Sequence, residues 1–120
     1  MGKFEDLLVW QKAKEIAISV YQLTKGEPLS KDFGLKDQLQ RSAVSIPSNI
    51  AEGDESGTNK MSIRYFYTAK ASSAELYTQL QIAYQVGLIT KERYDELISE
   101  CKSISSMLHK LIQIRSSKKE

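Results

Sequence analysis

The stretch TNKMSIRYFYTAKASSAELYTQLQIAYQVG, residues 58–87, decides the fold. Within it Phe66, Ala69, Ser73, Leu76, Leu80 and Ala83 recur at alternating three- and four-residue steps. That spacing lets one face of an α-helix pack knob-into-hole against a nearly aligned neighbour. Thr58 or Asn59 has the short polar side chain that caps a helix start, and Gly87 ends the run. The pattern predicts a helix over 59–87, about 40 Å long at the helical rise. The small side chains of Ala69 and Ser73 leave room for a neighbour to come close.

Reading toward the C-terminus, the tight link Leu88-Ile89 and a second cap at Thr90 predict an antiparallel helical hairpin. The next helix, 90–115, repeats the three-four seam with Tyr94, Leu97, Cys101, Ile104, Leu108 and Leu111, and adds Ile98 and Ile112 on an adjacent stripe. Ser116 to Glu120 reads as a frayed tail. Toward the N-terminus, Gly53 and Gly57 bracket an acidic loop that closes a helix over 34–56 carrying Leu35, Leu39, Ala43, Ile46 and Ile50. Pro47 lies inside it, without an amide hydrogen and with its ring against the carbonyl of Ala43. A kink, or two short helices meeting near Ser45, is the expectation. The first helix, 4–25, has Trp10, Ala13, Ala17 and Val20 on one stripe and Val9, Ile16 and Leu23 on another. Gly26, in a left-handed C-cap, and Pro28 should end it. The predicted fold is all-α: an antiparallel up-and-down four-helix bundle with a proline kink in the second helix, one domain over residues 1–120.

The bulk properties limit the functional classes. Seventeen Lys and Arg against fifteen Asp and Glu leave a net charge of +2, so no global field marks a dedicated nucleic-acid or membrane-surface protein. Cys101 is the only cysteine, which rules out an internal disulfide and suits a reducing compartment; the cytoplasm is the expected location. The N-terminus lacks the pattern of a signal peptide, and the longest apolar runs fall far short of a membrane span.

The segment Gly34-Leu35-Lys36-Asp37-Gln38-Leu39-Gln40-Arg41-Ser42, followed by Ser45-Ile46-Pro47-Ser48-Asn49-Ile50-Ala51-Glu52-Gly53, closely resembles a family signature. The family is the four-helix-bundle group named after open reading frames in 23S ribosomal RNA intervening sequences. Phe4, Leu7 and Trp10-Gln11-Lys12-Ala13 resemble its opening motif, and Phe66, Ala69, Ser73, Glu75 and Leu76 its third-helix pattern. The resemblance implies an up-and-down bundle assembled into a ring, typically a homopentamer, with no known enzymatic activity. The family is also similar to the accessory protein of diversity-generating retroelements, a basic ring that binds reverse transcriptase and nucleic acid. Near-neutral charge, and Gln40 where related chains often carry a second arginine, set this chain apart from that relative.

Arg41, Asn49, Glu52 and Glu75 are the polar residues within or beside these motifs. They form either a functional surface or a polar clamp in which Arg41 forks to Glu52 or Glu75 around Pro47. The clamp is the expectation, because a proline break leaves backbone groups in need of partners. His109 stands alone, so the paired Glu-x-x-His motifs of a bundle di-iron site are missing. Cys101 lies on the seam as a small hydrophobe. Glu92, Glu96 and Glu100 share one helix face, either as a solvated face or as a cation site needing ligands from a second helix. No cofactor, metal or small-molecule substrate is expected. Lys12, Lys14, Arg64, Lys70, Lys110, Arg115, Lys118 and Lys119 are the residues able to touch phosphates, and ring symmetry would repeat each of them around a rim. Self-association is also suggested by the second stripes on the first and fourth helices, which would face water in a monomer unless each packs on two neighbours. The expected function is a non-enzymatic oligomeric scaffold or adaptor for RNA or an RNA-associated protein; the alternative is a structural or regulatory bundle with no nucleic-acid role.

Overall fold

The structure is a computed structural model that describes residues 3–118. Four helices make up the fold: α1 (Leu8–Lys25), α2 (Phe33–Asp54), α3 (Asn59–Gln85) and α4 (Lys91–Ser116). No strand occurs among the described residues. The rod measures 49 × 21 × 19 Å.

The helix starts follow from short polar side chains. Asp32, Thr58 and Thr90 accept hydrogen bonds from the amides of Leu35, Met61 and Arg93, at 3.1, 3.2 and 3.2 Å. α3 ends in a double bond pattern: the amide of Leu88 donates to the carbonyl of Ala83 at 2.8 Å and that of Gly87 to Tyr84 at 3.0 Å. Gly87 takes φ +83°, a conformation that a Cβ would strain. α1 ends differently from expectation. Gly26 is extended, at φ −85° and ψ 145°, because the chain turns away through Pro28 instead of curling back on the helix. α1 also begins at Leu8; Phe4–Asp6 form a 3-10 turn, and Phe4 meets Trp10 edge-on with ring centroids 5.2 Å apart.

The helix α2 runs from Phe33 through Asp54 without interruption at Pro47, so the two-piece alternative does not form. Side chains flanking the proline supply local support: the Asn49 amide donates to the carbonyl of Ser45 at 2.8 Å and to its hydroxyl oxygen at 3.0 Å.

Partner numbers reveal the packing direction. Gln79 bonds Gln38 and Ser42, Ser72 meets Ser45, and Ser62 reaches the carbonyl of Gly53, so partners on α3 fall in number as those on α2 rise. Tyr84 stacks on Tyr94 at 4.5 Å, while Ser73 donates to the carbonyl of Cys101, which runs α4 against α3. The core holds Val9, Ile16, Val20, Leu39, Ile46, Ile50, Phe66, Leu76, Leu80, Leu97, Ile104 and Leu108, each worth about 1.5–3 kcal/mol on full burial. Gly53 is required for the approach of α2 to α3: a Cβ there would stand 2.6 Å from the Phe66 ring and 3.1 Å from the Ser62 carbonyl oxygen.

Both second stripes go into this core. Val9, Ile16, Ile98 and Ile112 are buried and Leu23 is half-buried. Both stripes thus join the one buried core of the bundle, the within-bundle alternative for a broad stripe.

Candidate functional surfaces

The residues at the motif's heart do not form the expected clamp. Arg41 is exposed and its Nε donates to Asp37, one turn earlier on the same helix, at 2.9 Å. It reaches neither Glu52 nor Glu75, because its position turns it outward from the α2 core side, whereas Asp37 lies one turn away along that surface. Arg41 and Glu75 do flank one polar groove between α2 and α3, floored by Ser42, Ser45 and Gln79. The polar residues that bind α2 to α3 here are Ser42 with Gln79 and Ser45 with Ser72, buried or half-buried and bonded across the seam. Gln40 points the other way, donating to the Thr24 hydroxyl of α1 at 3.0 Å.

A clamp does exist elsewhere, and it uses Arg115. Its Nη2 donates to Asp54 Oδ1 at 2.8 Å, with the Asp54 side chain 7% exposed, and its guanidinium lies 5.3 Å from the Phe66 ring centroid. This pair joins the last turn of α4 to the end of α2 over the α3 core. A long-range ion pair of this kind leaves no spacing signal in a sequence; only the fold brings residues 54 and 115 together. Arg115 is therefore withdrawn from the phosphate-facing set.

The other basic residues are distributed over several faces. Lys12, Lys14, Arg64, Lys110 and Lys118 are exposed and Lys70 is half-buried; Lys119 lies outside the described residues. None of these six makes a salt bridge among the described residues, and Lys14 sits 5.0 Å from the Trp10 ring centroid. The glutamate run of α4 does not converge on a cation. Glu96 pairs with Arg93 at 3.0 Å, and no group of three or more His, Cys, Asp or Glu able to hold a metal occurs among the described residues. Partial burial, reinforced by Glu15, pushes the Glu100 carboxyl above its ordinary value. Burial likewise pushes the Cys101 thiol up to about 12, which keeps it protonated and unreactive. His109 is exposed. No helix is long and apolar enough to cross a membrane among the described residues.

Residue periodicity did not single out one surface. On the outside of α3, Tyr67, Ala71, Ala74, Thr78 and Ile82 fall at four-, three-, four- and four-residue steps and are all exposed. Ile18 and Tyr21 of α1 and Val44 of α2 are also exposed. Tyr21 and Val44 line one recess with Gln40 and Arg41.

Known structures and families agree with this architecture. A crystal structure from Bacteroides thetaiotaomicron, described as a protein of unknown function from the S23 ribosomal protein family, superposes with a TM-score of 0.82. It is 25% identical over 88% of this chain and 99% of its own. No curated protein matches the chain. The family model for the 23S rRNA-intervening sequence protein matches residues 5–110. A four-helix bundle with these motif residues on α1, α2 and α3 thus belongs to the 23S rRNA-intervening sequence protein family.

Proposed function

We propose that the chain is a self-associating helical scaffold, without catalysis of its own, that presents basic residues to RNA. The observation that carries the reading is the exposed, nearly uncharged outer face of α3, which a lone rod would leave in water. Support for the RNA role comes from Lys12, Lys14, Arg64, Lys70, Lys110 and Lys118, which are not neutralised by salt bridges and would recur once per subunit. The inert Cys101 thiol agrees with a scaffold, and a lone buried thiol suits the cytoplasm.

Light scattering across a wide concentration range tests assembly, and a mass equal to one chain throughout would remove it. Titration with structured RNA at two salt concentrations tests the partner. Binding that weakens steeply with salt supports phosphate contact. Absence of retardation at low salt favours the alternative, a bundle with no nucleic-acid role, for which the acids interspersed among these lysines speak.

A further inference from the structure

The groove between α2 and α3 keeps polar groups that the fold leaves unspent. Its floor is closed: the Ser42 hydroxyl donates to Gln79 Oε1 at 2.7 Å, and the hydroxyls of Ser45 and Ser72 meet at 2.8 Å. Its rims are open. On the α2 side Arg41 is held by Asp37 through Nε at 2.9 Å, which leaves both Nη groups without a partner among the described residues. On the α3 side the exposed Glu75 carboxylate makes no hydrogen bond or ion pair among the described residues. A guanidinium fork and a carboxylate thus border one groove of about 330 Å³, at the small end of the clefts that take organic ligands.

A phosphate does not suit this place. The charged residues lining the groove and the recess beside it are Arg41, Asp37 and Glu75, two acids against one base. A flat neutral group with donors along one edge and acceptors along the next does suit it. Among the RNA bases guanine alone has that pattern: N1–H and N2–H lie side by side and occupy both oxygens of a carboxylate, while O6 and N7 accept a guanidinium fork. Adenine and cytosine each set a lone pair beside their amino group, against the carboxylate, and uracil has a single N–H between two carbonyls. The N1 and N2 edge of guanine is free only in an unpaired strand. The neighbouring recess shares Arg41 and Ser45 with the groove and is lined also by Tyr21, 43% exposed, an aromatic surface for the next base of such a strand.

We propose that the α2–α3 groove binds an unpaired guanine base of RNA, with Glu75 accepting from N1 and N2 and Arg41 donating to O6 and N7. The inference rests on the RNA reading above and names what the scaffold recognises. The exposed lysines hold the backbone without regard to sequence, and the groove adds the base preference. Arg41 and Glu75 are then joined through the ligand and not directly to each other.

Fluorescence anisotropy with labelled uridine hexanucleotides tests the site. A strand with one central guanosine should bind on the order of tenfold more tightly than the same strand with adenosine, cytidine or uridine there. Inosine, which lacks the N2 amino group, should lose most of that preference. Glu75→Gln sets a donor against guanine's donors, and Arg41→Lys replaces the fork by a point charge; each should abolish the preference while the helical circular dichroism is retained. A guanosine preference that survives unchanged in both variants would place the base elsewhere and overturn the site. Equal affinity for all strands, with binding that falls steeply in salt, would also overturn it and leave the RNA reading standing. Binding of guanosine monophosphate without binding of any strand would remove the RNA reading, and with it the proposal, and would leave the groove to a free guanine nucleotide.

Discussion

α3 and α4 are 27 and 26 residues long and bury inner seams of the same three-four spacing. Their outer faces differ. α4 presents Glu92, Asp95, Glu96, Ser99, Lys102, Ser103, Ser106 and Lys110 to solvent, the mixture of charges and hydroxyls that keeps a helix soluble. α3 presents Tyr67, Ala71, Ala74, Thr78 and Ile82, with Arg64 and Glu75 as exposed charges beside them. Folding of one chain explains both inner faces, since each supplies core to the same bundle. It does not explain the outer difference, because water is the neighbour of both in a monomer. The contrast separates what the bundle requires from what lies beyond it.

The largest expected effect is on the inner side, where α4 is latched across α3. Arg115→Ala leaves Asp54 buried without its cation and should cost about 3 kcal/mol, read as a fall in denaturation midpoint. Adding Asp54→Asn should recover part of that loss; a single variant as stable as wild type would show that the pair does not hold α4. Next in size, Gly53→Ala drives a methyl into the Phe66 ring and should destabilise by roughly 2 kcal/mol. If chemical denaturation finds less than about 0.5 kcal/mol, α2 and α3 are not packed as closely as their seam implies.

The outer comparison is sharpened by placing the same charge on each helix. Ala71→Lys should weaken assembly on the order of tenfold, whereas Ser99→Lys on α4 should leave it unchanged, as judged by sedimentation at several concentrations. Equal behaviour of the two variants would erase the distinction between the faces. Smaller still, Arg41→Ala removes one exposed pair with Asp37 and should shift stability by less than about 0.5 kcal/mol in thermal melts. A large loss would restore this residue to a clamp.

The smallest effect is a pH slope. The Glu100 carboxyl holds its proton to higher pH in the folded state than in the unfolded chain, owing first to burial and then to Glu15. Over the window between the ordinary and the raised value the folded state therefore binds more protons, and stability declines as pH rises. Glu100→Gln should remove that slope, with a gain within about 0.5 kcal/mol above the window. Melting temperatures on either side of the carboxylate range would read it; an unaltered slope would mean that another group is responsible.

The sequence by itself determined the four helices, a cap at Thr58 or Asn59, of which the structure uses Thr58, the cap at Thr90, the stop at Gly87 and the seam residues from Phe66 to Ala83. Those features are local, set by helical periodicity and by the backbone preferences of single residues. It also supplied the motifs that resemble the family to which the chain belongs. Contacts between distant residues were decided by tertiary structure alone. Arg41 had carboxylates available on three sides in sequence terms, and only the rotation of α2 about its axis chose Asp37 and turned the guanidinium to water. The pairing of Asp54 with Arg115 spans 61 residues and has no periodic trace. The second stripes of α1 and α4 are buried for a similar reason: a helix at a bundle corner touches two neighbours, so a wide apolar arc is covered within one chain. Which apolar residues remain outside, Tyr67 and Ile82 on α3 and Ile18, Tyr21 and Val44 on the opposite side, depends on how each helix is rotated against the others, a property of the packed bundle that no single helix encodes.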